Sequence, residues 1–332
     1  MRSSTSSSRV GPPSGPWILT WAVALAGVAL ATTLLETQAR RLGIRPSWSA
    51  GAESWCVEAA VLGSKDIAVI GTSRAVSGIE PVEFSRATGR PVRQLAINAS
   101  SMLPVLEWLA RREDYSGVVI AEIVPGLEFR AGHERHAIAE RIVADFPDFN
   151  RSPGRRIEAV LARAVQTRVA FKSPGFHLLA PYRDRQGPGV GHLSRMSVEA
   201  SRFVRLEFHP GDPTAEPKRP ERSRAKPADD RERRDLQHRF AEAARAIEKR
   251  GGRVVFLFMP MTGQAAEMEE RDFPRREYWD RLGTSTRSLK IHFRDHSKLS
   301  GFACPDEEHL DGEDAVRFTR ALAELLLEKG GL

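Results

Sequence analysis

Three side chains of this sequence have the chemistry of a nucleophile, its base and the group that orients the base. Ser73 directly follows an apolar run that ends in glycine and threonine, whereas Asp306 and His309 are three residues apart near the carboxyl terminus. A serine hydroxyl needs an adjacent base to become nucleophilic, and a carboxylate can hold a histidine in the required tautomer. The sequence therefore predicts Ser73 as nucleophile, His309 as base and Asp306 as the orienting group.

The position of Ser73 strengthens this interpretation. Ile67-Ala68-Val69-Ile70 is typical of a buried parallel strand, and the glycine after it indicates a tight turn. Open α/β folds build their sites at this carboxyl edge of the sheet. Taken singly, Ser73 could instead cap the next helix, and His309 could be a surface histidine before a helix. The two motifs lie in order at opposite ends of one α/β pattern, which favours catalysis.

These motifs resemble the first and last blocks of the SGNH (GDSL-like) hydrolases, where a strand ends in Gly-Asp-Ser or a variant and Asp-x-x-His precedes the final helix. Gly71-Thr72-Ser73-Arg74 and Asp306-Glu307-Glu308-His309 match those blocks. His309-Leu310-Asp311-Gly312 is also similar to the family's membrane-anchored, polysaccharide-modifying branch, related to alginate O-acetylation proteins. The resemblance implies a three-layer flavodoxin-like α/β fold and a serine esterase or O-acetyltransferase. It further implies a cell-surface glycan or acyl ester as substrate, and allows an integral-membrane acyltransferase as partner.

The oxyanion donors match this family less well. The resemblance implies the serine amide, a glycine amide from the second block and an asparagine from Gly-x-Asn in the third block. The second block falls at Asn98-Ala99-Ser100, and no asparagine follows the predicted strand ending at Val124. The Ala99 amide can still donate, and Asn98 is predicted either to replace the missing donor or to be a turn residue. Arg74 is predicted either to contact substrate oxygens or to pair with an acid on the following helix.

An uncharged apolar segment, Pro16–Leu35, is long enough to cross a hydrocarbon core of about 30 Å. A cleaved signal peptide would use Ala29-Leu30-Ala31, but the apolar run continues beyond that site, which favours an uncleaved signal anchor. A buried core helix is the remaining alternative. The sequence thus predicts a single-pass membrane protein attached through residues 16–35.

The predicted organisation has four parts: a cytoplasmic leader (1–15), the signal anchor (16–35), a connector (36–52) and an SGNH-like domain (53–332). Arginines on both sides of the anchor leave its orientation ambiguous, and the short leader favours an extracytoplasmic (periplasmic) domain. Strands predicted at 67–70, 91–97, 117–124, 253–259 and 289–293 alternate with helices, which indicates a parallel sheet. Residues 129–232 interrupt this rhythm and are predicted to be an insertion.

Composition excludes several other classes of function. The net charge of +7 comes from scattered basic residues, with one cluster at 217–227 among prolines and acids, which is typical of a solvated loop rather than a nucleic-acid site. The chain has no phosphate loop or Cys-x-x-Cys pair, and Gly187–Gly191 lacks the context of a dinucleotide site. His133 and His136 lack a third ligand, so no metal or cofactor is predicted. Cys56 and Cys304 are predicted at opposite sheet edges, about 20 Å apart and unbridged.

Overall fold

Parallel β-strands form the centre of the computed structural model, which describes residues 15–132, 134, 136–174, 176, 196–208 and 226–332. The strands in chain order are β1 (Ile67–Ile70), β2 (Val92–Gln94), β3 (Val118–Glu122), β4 (Met196–Val198), β5 (Val204–Leu206), β6 (Arg253–Phe258) and β7 (Leu289–His292). Five of them form one sheet of order β2-β1-β3-β6-β7, in which every neighbouring pair is parallel. The other two, β4 and β5, pair antiparallel.

The centre of the sheet is buried on both faces, which explains why β1, β3 and β6 are apolar runs rather than alternating patterns. All four residues of β1 and all five of β3 are buried. Ile67 of β1 lies opposite Val92 of β2 and Val118 of β3, so β1 is a central strand. The predicted α/β class and parallel sheet are confirmed.

Helices surround the sheet in two groups. The helices in chain order are α1 (Gly15–Arg41), α2 (Ala52–Ala60), α3 (Ser73–Gly78), α4 (Pro81–Thr88), α5 (Leu103–Arg111), α6 (Pro125–Glu128), α7 (His136–Arg151), α8 (Pro153–Gln166), α9 (Asp230–Lys249), α10 (Gly263–Asp272), α11 (Arg275–Tyr278), α12 (Ser297–Ser300) and α13 (Gly312–Glu328). One group contains α2, α5, α7 and α9, and the other contains α3, α4, α12 and α13. Within the first group, α2, α5 and α7 are joined by the edge-to-face rings of Trp55, Trp108 and Phe146.

The strand order places the end of β1 at a topological switch point. From β1 the chain passes to β2 on one side, and β3 then pairs with β1 on the other side. In open α/β sheets, ligands bind in the crevice outside the carboxyl ends of the strands at such a point. Ser73 follows β1 by three residues and therefore lies at this crevice.

The region predicted as an insertion contains α7, α8, a 3₁₀ turn at Ala170–Lys172 and the hairpin of β4 and β5. Residues 138–143 and 157–169 have helical sequence patterns, in agreement with α7 and α8, whereas the hairpin was not predicted. Gly187–Gly191 and the basic cluster at 217–227, apart from residues 226 and 227, lie outside the described residues. Regular structure resumes at Asp230, where Asp229 caps α9 by accepting the N–H groups of Arg231 and Glu232.

Helix α1 continues to Arg41, six residues past the end of the apolar run at Leu35. Within the described part of the chain, Trp17–Arg41 is the one helix long and apolar enough to cross a membrane, and its apolar window is not buried in the protein. A membrane anchor and a signal sequence both fit this length and composition.

Candidate active site

The turn after β1 presents Ser73 at the start of a helix. Gly71 has φ of +152°, and a side chain there would place Cβ 2.6 Å from the Glu122 carboxylate, so only glycine fits. Thr72 caps α3 by accepting the N–H of Arg74 at 3.2 Å. Ser73 is the first residue of that helix and is half-buried. Because N–H groups in a first helical turn have no partner within the helix, the Ser73 amide is available to a substrate oxygen.

The loop before α13 brings the predicted base and carboxylate to this serine. His309 Nε2 lies 2.9 Å from Ser73 Oγ, and His309 Nδ1 lies 2.8 Å from Asp306 Oδ2. The other Asp306 oxygen, Oδ1, accepts the backbone N–H groups of Glu308 at 3.0 Å and His309 at 2.7 Å. The structure thus brings together Asp306, His309 and Ser73 in one continuous chain of hydrogen bonds.

The charge on Asp306 follows from these contacts. Burial alone would raise its pKa, but the hydrogen bonds from the His309 ring and from two backbone amides outweigh it, and the pKa is lowered. A carboxylate that is ionised at neutral pH accepts the Nδ1–H of His309 and leaves Nε2 free to take a proton from Ser73. The hydrogen bonds therefore run in the direction that general base catalysis requires, from Ser73 to His309 and from His309 to Asp306.

Glu307 holds the Asp-x-x-His loop against the start of α10. Its carboxylate accepts the N–H groups of Gln264 at 3.1 Å and Ala265 at 3.0 Å, in the first turn of α10. Its carbonyl accepts the N–H of Thr262 at 3.0 Å. Glu307 has φ of +71°, a conformation that costs about 1 kcal/mol or more in a non-glycine residue. Sequence reasoning missed this role, although the residue lies inside the motif itself.

Arg74 is part of the framework beneath the nucleophile and does not face the crevice. Its side chain is 3% exposed, and Nη2 donates to the carbonyls of Met259 at 2.6 Å and Pro260 at 3.0 Å. The guanidinium also lies 5.5 Å from the Phe258 ring centroid and 3.8 Å from Glu122. The predicted substrate contact is therefore wrong. The acidic partner of Arg74 is Glu122 on β3, not an acid on the following helix.

Glu122 supports the nucleophile turn and was not predicted from the sequence. It is fully buried at the end of β3, and its Oε2 accepts the N–H of Thr72 at 2.8 Å. A lone carboxylate at the end of an otherwise apolar buried strand is a signal that the sequence did contain, since buried charges are normally paired. Together Glu122 and Arg74 connect the turn after β1 to β3 and to the end of β6.

Asn98 and Ala99 follow β2 beside the nucleophile turn. The N–H of Ile97 donates to the carbonyl of Gly71 at 3.0 Å, so the two chains run side by side at this edge. Both Asn98 and Ala99 are exposed. Ala99 has φ of +53°, the left-handed conformation that glycine adopts most readily, at the position where the family resemblance implies glycine. The backbone thus keeps a conformation suited to glycine while the side chain is a methyl group.

Glu128 fixes the segment that follows Asn98 and Ala99. Its carboxylate accepts the hydroxyl of Ser101 and, at 2.9 Å, the N–H of Met102, just before α5. Glu128 is fully buried, and this burial raises its pKa to about 7. A buried carboxyl therefore determines the position of the loop that carries two of the candidate oxyanion donors.

The segment after β3 offers no polar side chain toward the crevice. Ile123 and Val124 are buried, and Pro125 begins the short helix α6. The asparagine that the family resemblance implies in the third block is therefore replaced by apolar residues and proline. Asn98 and the two backbone amides of Ser73 and Ala99 remain the candidate donors.

The two cysteines are buried and free, as the sequence predicted. Burial raises the pKa of the Cys56 thiol to about 11 and that of Cys304 to about 12. Cys304 Sγ donates to the carbonyl of Pro260 at 3.3 Å, which ties the Asp-x-x-His loop to the end of β6. Neither thiol is a nucleophile near neutral pH, because the thiolate is the reactive form.

A metal site is not formed by the described residues, which contain no group of three or more histidine, cysteine, aspartate or glutamate side chains able to hold an ion. His136 is buried at the start of α7. His133 lies outside the described residues, so the histidine pair singled out in the sequence stays untested.

No family model matches this sequence, and no curated protein matches it either. Among solved structures, the chain is similar to an acetyl xylan esterase, Est2A, from the rumen bacterium Butyrivibrio proteoclasticus. The two are 8% identical with a TM-score of 0.29, and the match covers 81% of this chain and 65% of that chain. At this level of similarity neither family nor function follows, and the function has to be argued from the site.

Proposed function

We propose that this chain is a membrane-anchored, SGNH-like serine esterase or O-acyltransferase that acts on ester groups of a cell-surface polysaccharide. The observation that carries the proposal is the hydrogen-bonded chain from Asp306 through His309 to Ser73, with separations of 2.8 and 2.9 Å. These distances lie within the range expected between a nucleophile, its base and the orienting group. The position of Ser73 at the switch point supports the same assignment.

Acylation begins when Ser73 Oγ attacks the carbonyl carbon of a bound ester. His309 Nε2 takes the hydroxyl proton as the new C–O bond forms, and Asp306 stabilises the resulting imidazolium. The amides of Ser73 and Ala99 donate hydrogen bonds to the carbonyl oxygen as it becomes negative, with Asn98 as a further donor. The tetrahedral intermediate collapses when its alcohol oxygen takes the proton from His309 and leaves, which produces acyl-Ser73.

Deacylation repeats these steps with a different nucleophile. His309 removes a proton from the incoming hydroxyl, whose oxygen attacks the acyl carbon, and Ser73 then recovers its proton as it leaves. Water as nucleophile gives hydrolysis, and a sugar hydroxyl gives O-acyl transfer. The same three residues serve both reactions, so the acceptor determines which of them occurs.

A catalytically degenerate SGNH fold that serves as a binding or scaffold component is the alternative, and the missing asparagine of the third block favours it. A degenerate site would be expected to have Ser73 and His309 too far apart to form a hydrogen bond. The 2.9 Å between their atoms instead supports a working pair. The ionised Asp306, whose pKa is lowered in spite of burial, supports it further.

The proposed location is outside the cytoplasm, with α1 as an uncleaved single-pass anchor. The length of this helix and the exposure of its apolar window support the anchor. A reporter fused after Leu332 that is active only outside the cytoplasm should give signal. Activity of a cytoplasm-specific reporter at the same position would overturn this location.

The experiment that tests the activity is turnover of a chromogenic acetyl ester by the full-length protein in detergent. Ser73→Ala should abolish turnover and change the free energy of unfolding by only about 1 kcal/mol, the typical contribution of one hydrogen bond. The matched control is Ser116→Ala, which removes a half-buried hydroxyl near the start of β3, at the opposite edge of the sheet. Full activity of Ser73→Ala would overturn the mechanism.

A further inference from the structure

The apolar face of helix α8 is exposed to solvent. Ile157, Val160, Leu161 and Val165 are 60%, 53%, 59% and 43% exposed. Their spacing of three and four residues places them on one side of the helix, and we call these four residues the outer stripe. In a soluble domain this side of an amphipathic helix would normally face the core.

The opposite side of α8 carries arginines that contact the rest of the domain. Arg163 lies 3.2 Å from the carboxylate of Glu58, which is 2% exposed, and 5.3 Å from the ring centroid of Trp48. Arg155 forms two hydrogen bonds of 3.0 and 2.7 Å to Asp145 of α7. These contacts fix the rotation of α8 about its axis, so the outward position of the outer stripe is a stable property of the fold.

The chain that follows α8 contacts the end of the candidate membrane span. Ala170 packs against Ala39 and Ile44, and the N–H of Phe171 donates to the Glu36 carboxylate at 3.2 Å. The helix ends at Gln166, four residues before Ala170, which is a reach of at most about 14 Å. The Val165 end of the outer stripe is therefore close to the place where α1 enters the domain.

Basic residues flank the outer stripe. Between residues 152 and 174, Arg156, Arg168 and Lys172 are exposed, against a single acid, Glu158. An amphipathic helix with an apolar face and basic flanks lies in the interface of a bilayer, where arginine and lysine are attracted to anionic headgroups. Both the composition of this surface and its position beside α1 fit that partner.

We propose that the outer stripe of α8 lies in the headgroup region of the bilayer that α1 crosses, as a second contact between the domain and an anionic phospholipid surface. This inference rests on the proposed role of α1 as a membrane anchor. Two contacts fix the orientation of the domain, whereas a single helix would leave it free to rotate. The site at Ser73 is then held at a constant height and direction above the membrane.

The test uses full-length protein reconstituted in vesicles of phosphatidylcholine and phosphatidylglycerol. An environment-sensitive fluorophore is attached to Val160→Cys or, as control, to Leu327→Cys on α13, where the native side chain is 52% exposed. The native cysteines are buried. Because an interfacial helix places its apolar face about 5–10 Å into the headgroup boundary, lipids spin-labelled near the top of the acyl chain should quench the Val160 probe roughly threefold more than the Leu327 probe.

Three outcomes would overturn the proposal. Equal quenching of both probes, in protein that resists alkaline extraction from the vesicles, would leave α1 as an anchor but remove the second contact. A blue-shifted Val160 probe that lipid spin labels do not quench would show that protein, not lipid, covers the outer stripe. Release of the protein by alkaline extraction would refute the anchor, and the second contact with it. Ester turnover is measured separately, so the activity proposal stands or fails independently.

Discussion

The substitution Asp306→Asn tests the role of Asp306 directly, because the structure determines which way the new carboxamide points. Asp306 Oδ1 accepts two backbone N–H groups, from Glu308 at 3.0 Å and His309 at 2.7 Å. In the variant, the carboxamide oxygen keeps these two bonds, and its NH₂ group then faces His309 Nδ1, which lies 2.8 Å from Oδ2 in the native protein.

The reverse orientation of the carboxamide is costly. It would place the NH₂ group against both backbone donors and leave them unsatisfied, at roughly 1–3 kcal/mol each. His309 therefore has to accept at Nδ1 and carry its proton on Nε2. With a proton already on Nε2, the ring cannot remove the proton of Ser73, and we expect kcat to fall by about 10⁴-fold.

The assay is turnover of a chromogenic acetyl ester by the full-length protein in detergent. The matched control is Asp229→Asn, an identical change at the cap of α9, where Oδ1 likewise accepts two backbone N–H groups, from Arg231 at 2.9 Å and Glu232 at 2.8 Å. Asparagine caps helices about as well as aspartate, so the control should keep its activity. An Asp306→Asn protein that is folded and within about tenfold of native kcat would refute the proposed polarity of the triad.

Three further predictions concern the residues around the triad. Glu128→Gln should raise the free energy of unfolding by about 3 kcal/mol at pH 8 and by little near pH 4. The reason is that burial raises the pKa of the Glu128 carboxyl from 4.5 to about 7, so this carboxyl increasingly destabilises the fold as pH rises between those values. A series of denaturation experiments across this pH range measures the difference. Arg74→Met should destabilise the protein by about 3–5 kcal/mol, since it leaves Glu122 buried without its partner, and Arg74→Met with Glu122→Gln should recover much of that loss in the same denaturation experiment. Asn98→Ala should lower kcat about 10²-fold while leaving stability nearly unchanged, and an unaltered kcat would assign Asn98 as a turn residue.

The centre of the sheet was predictable because β1, β3 and β6 are nearly continuous buried apolar runs bounded by glycine, proline or charged residues. The final helix was equally clear, since aspartate is a favoured helix cap and Asp311 accepts the N–H of Glu313 at its start. Short elements were missed: α3 has six residues, and β4 and β5 have three each, too few for a periodic pattern to stand out.

The candidate site was predictable where residue type alone limits the chemistry, and less so where packing decides. Ser73, Asp306 and His309 stand out because their side chains match a nucleophile, a carboxylate and a base. The role of Arg74 depends on carbonyls 185 and 186 residues away, which no local pattern reveals. The left-handed conformation of Ala99 is likewise imposed by the surrounding structure, because alanine itself disfavours it.

The most direct test of the central claim is covalent trapping of the full-length protein with a serine-directed phosphonate, followed by peptide mass spectrometry. The site predicts one adduct, on Ser73, formed at a rate that falls steeply in His309→Ala because the hydroxyl then lacks its base. Ser73→Ala should take up no label at all. A folded native protein that stays unlabelled, or that is labelled on a different serine, would contradict the assignment of Ser73 as the nucleophile.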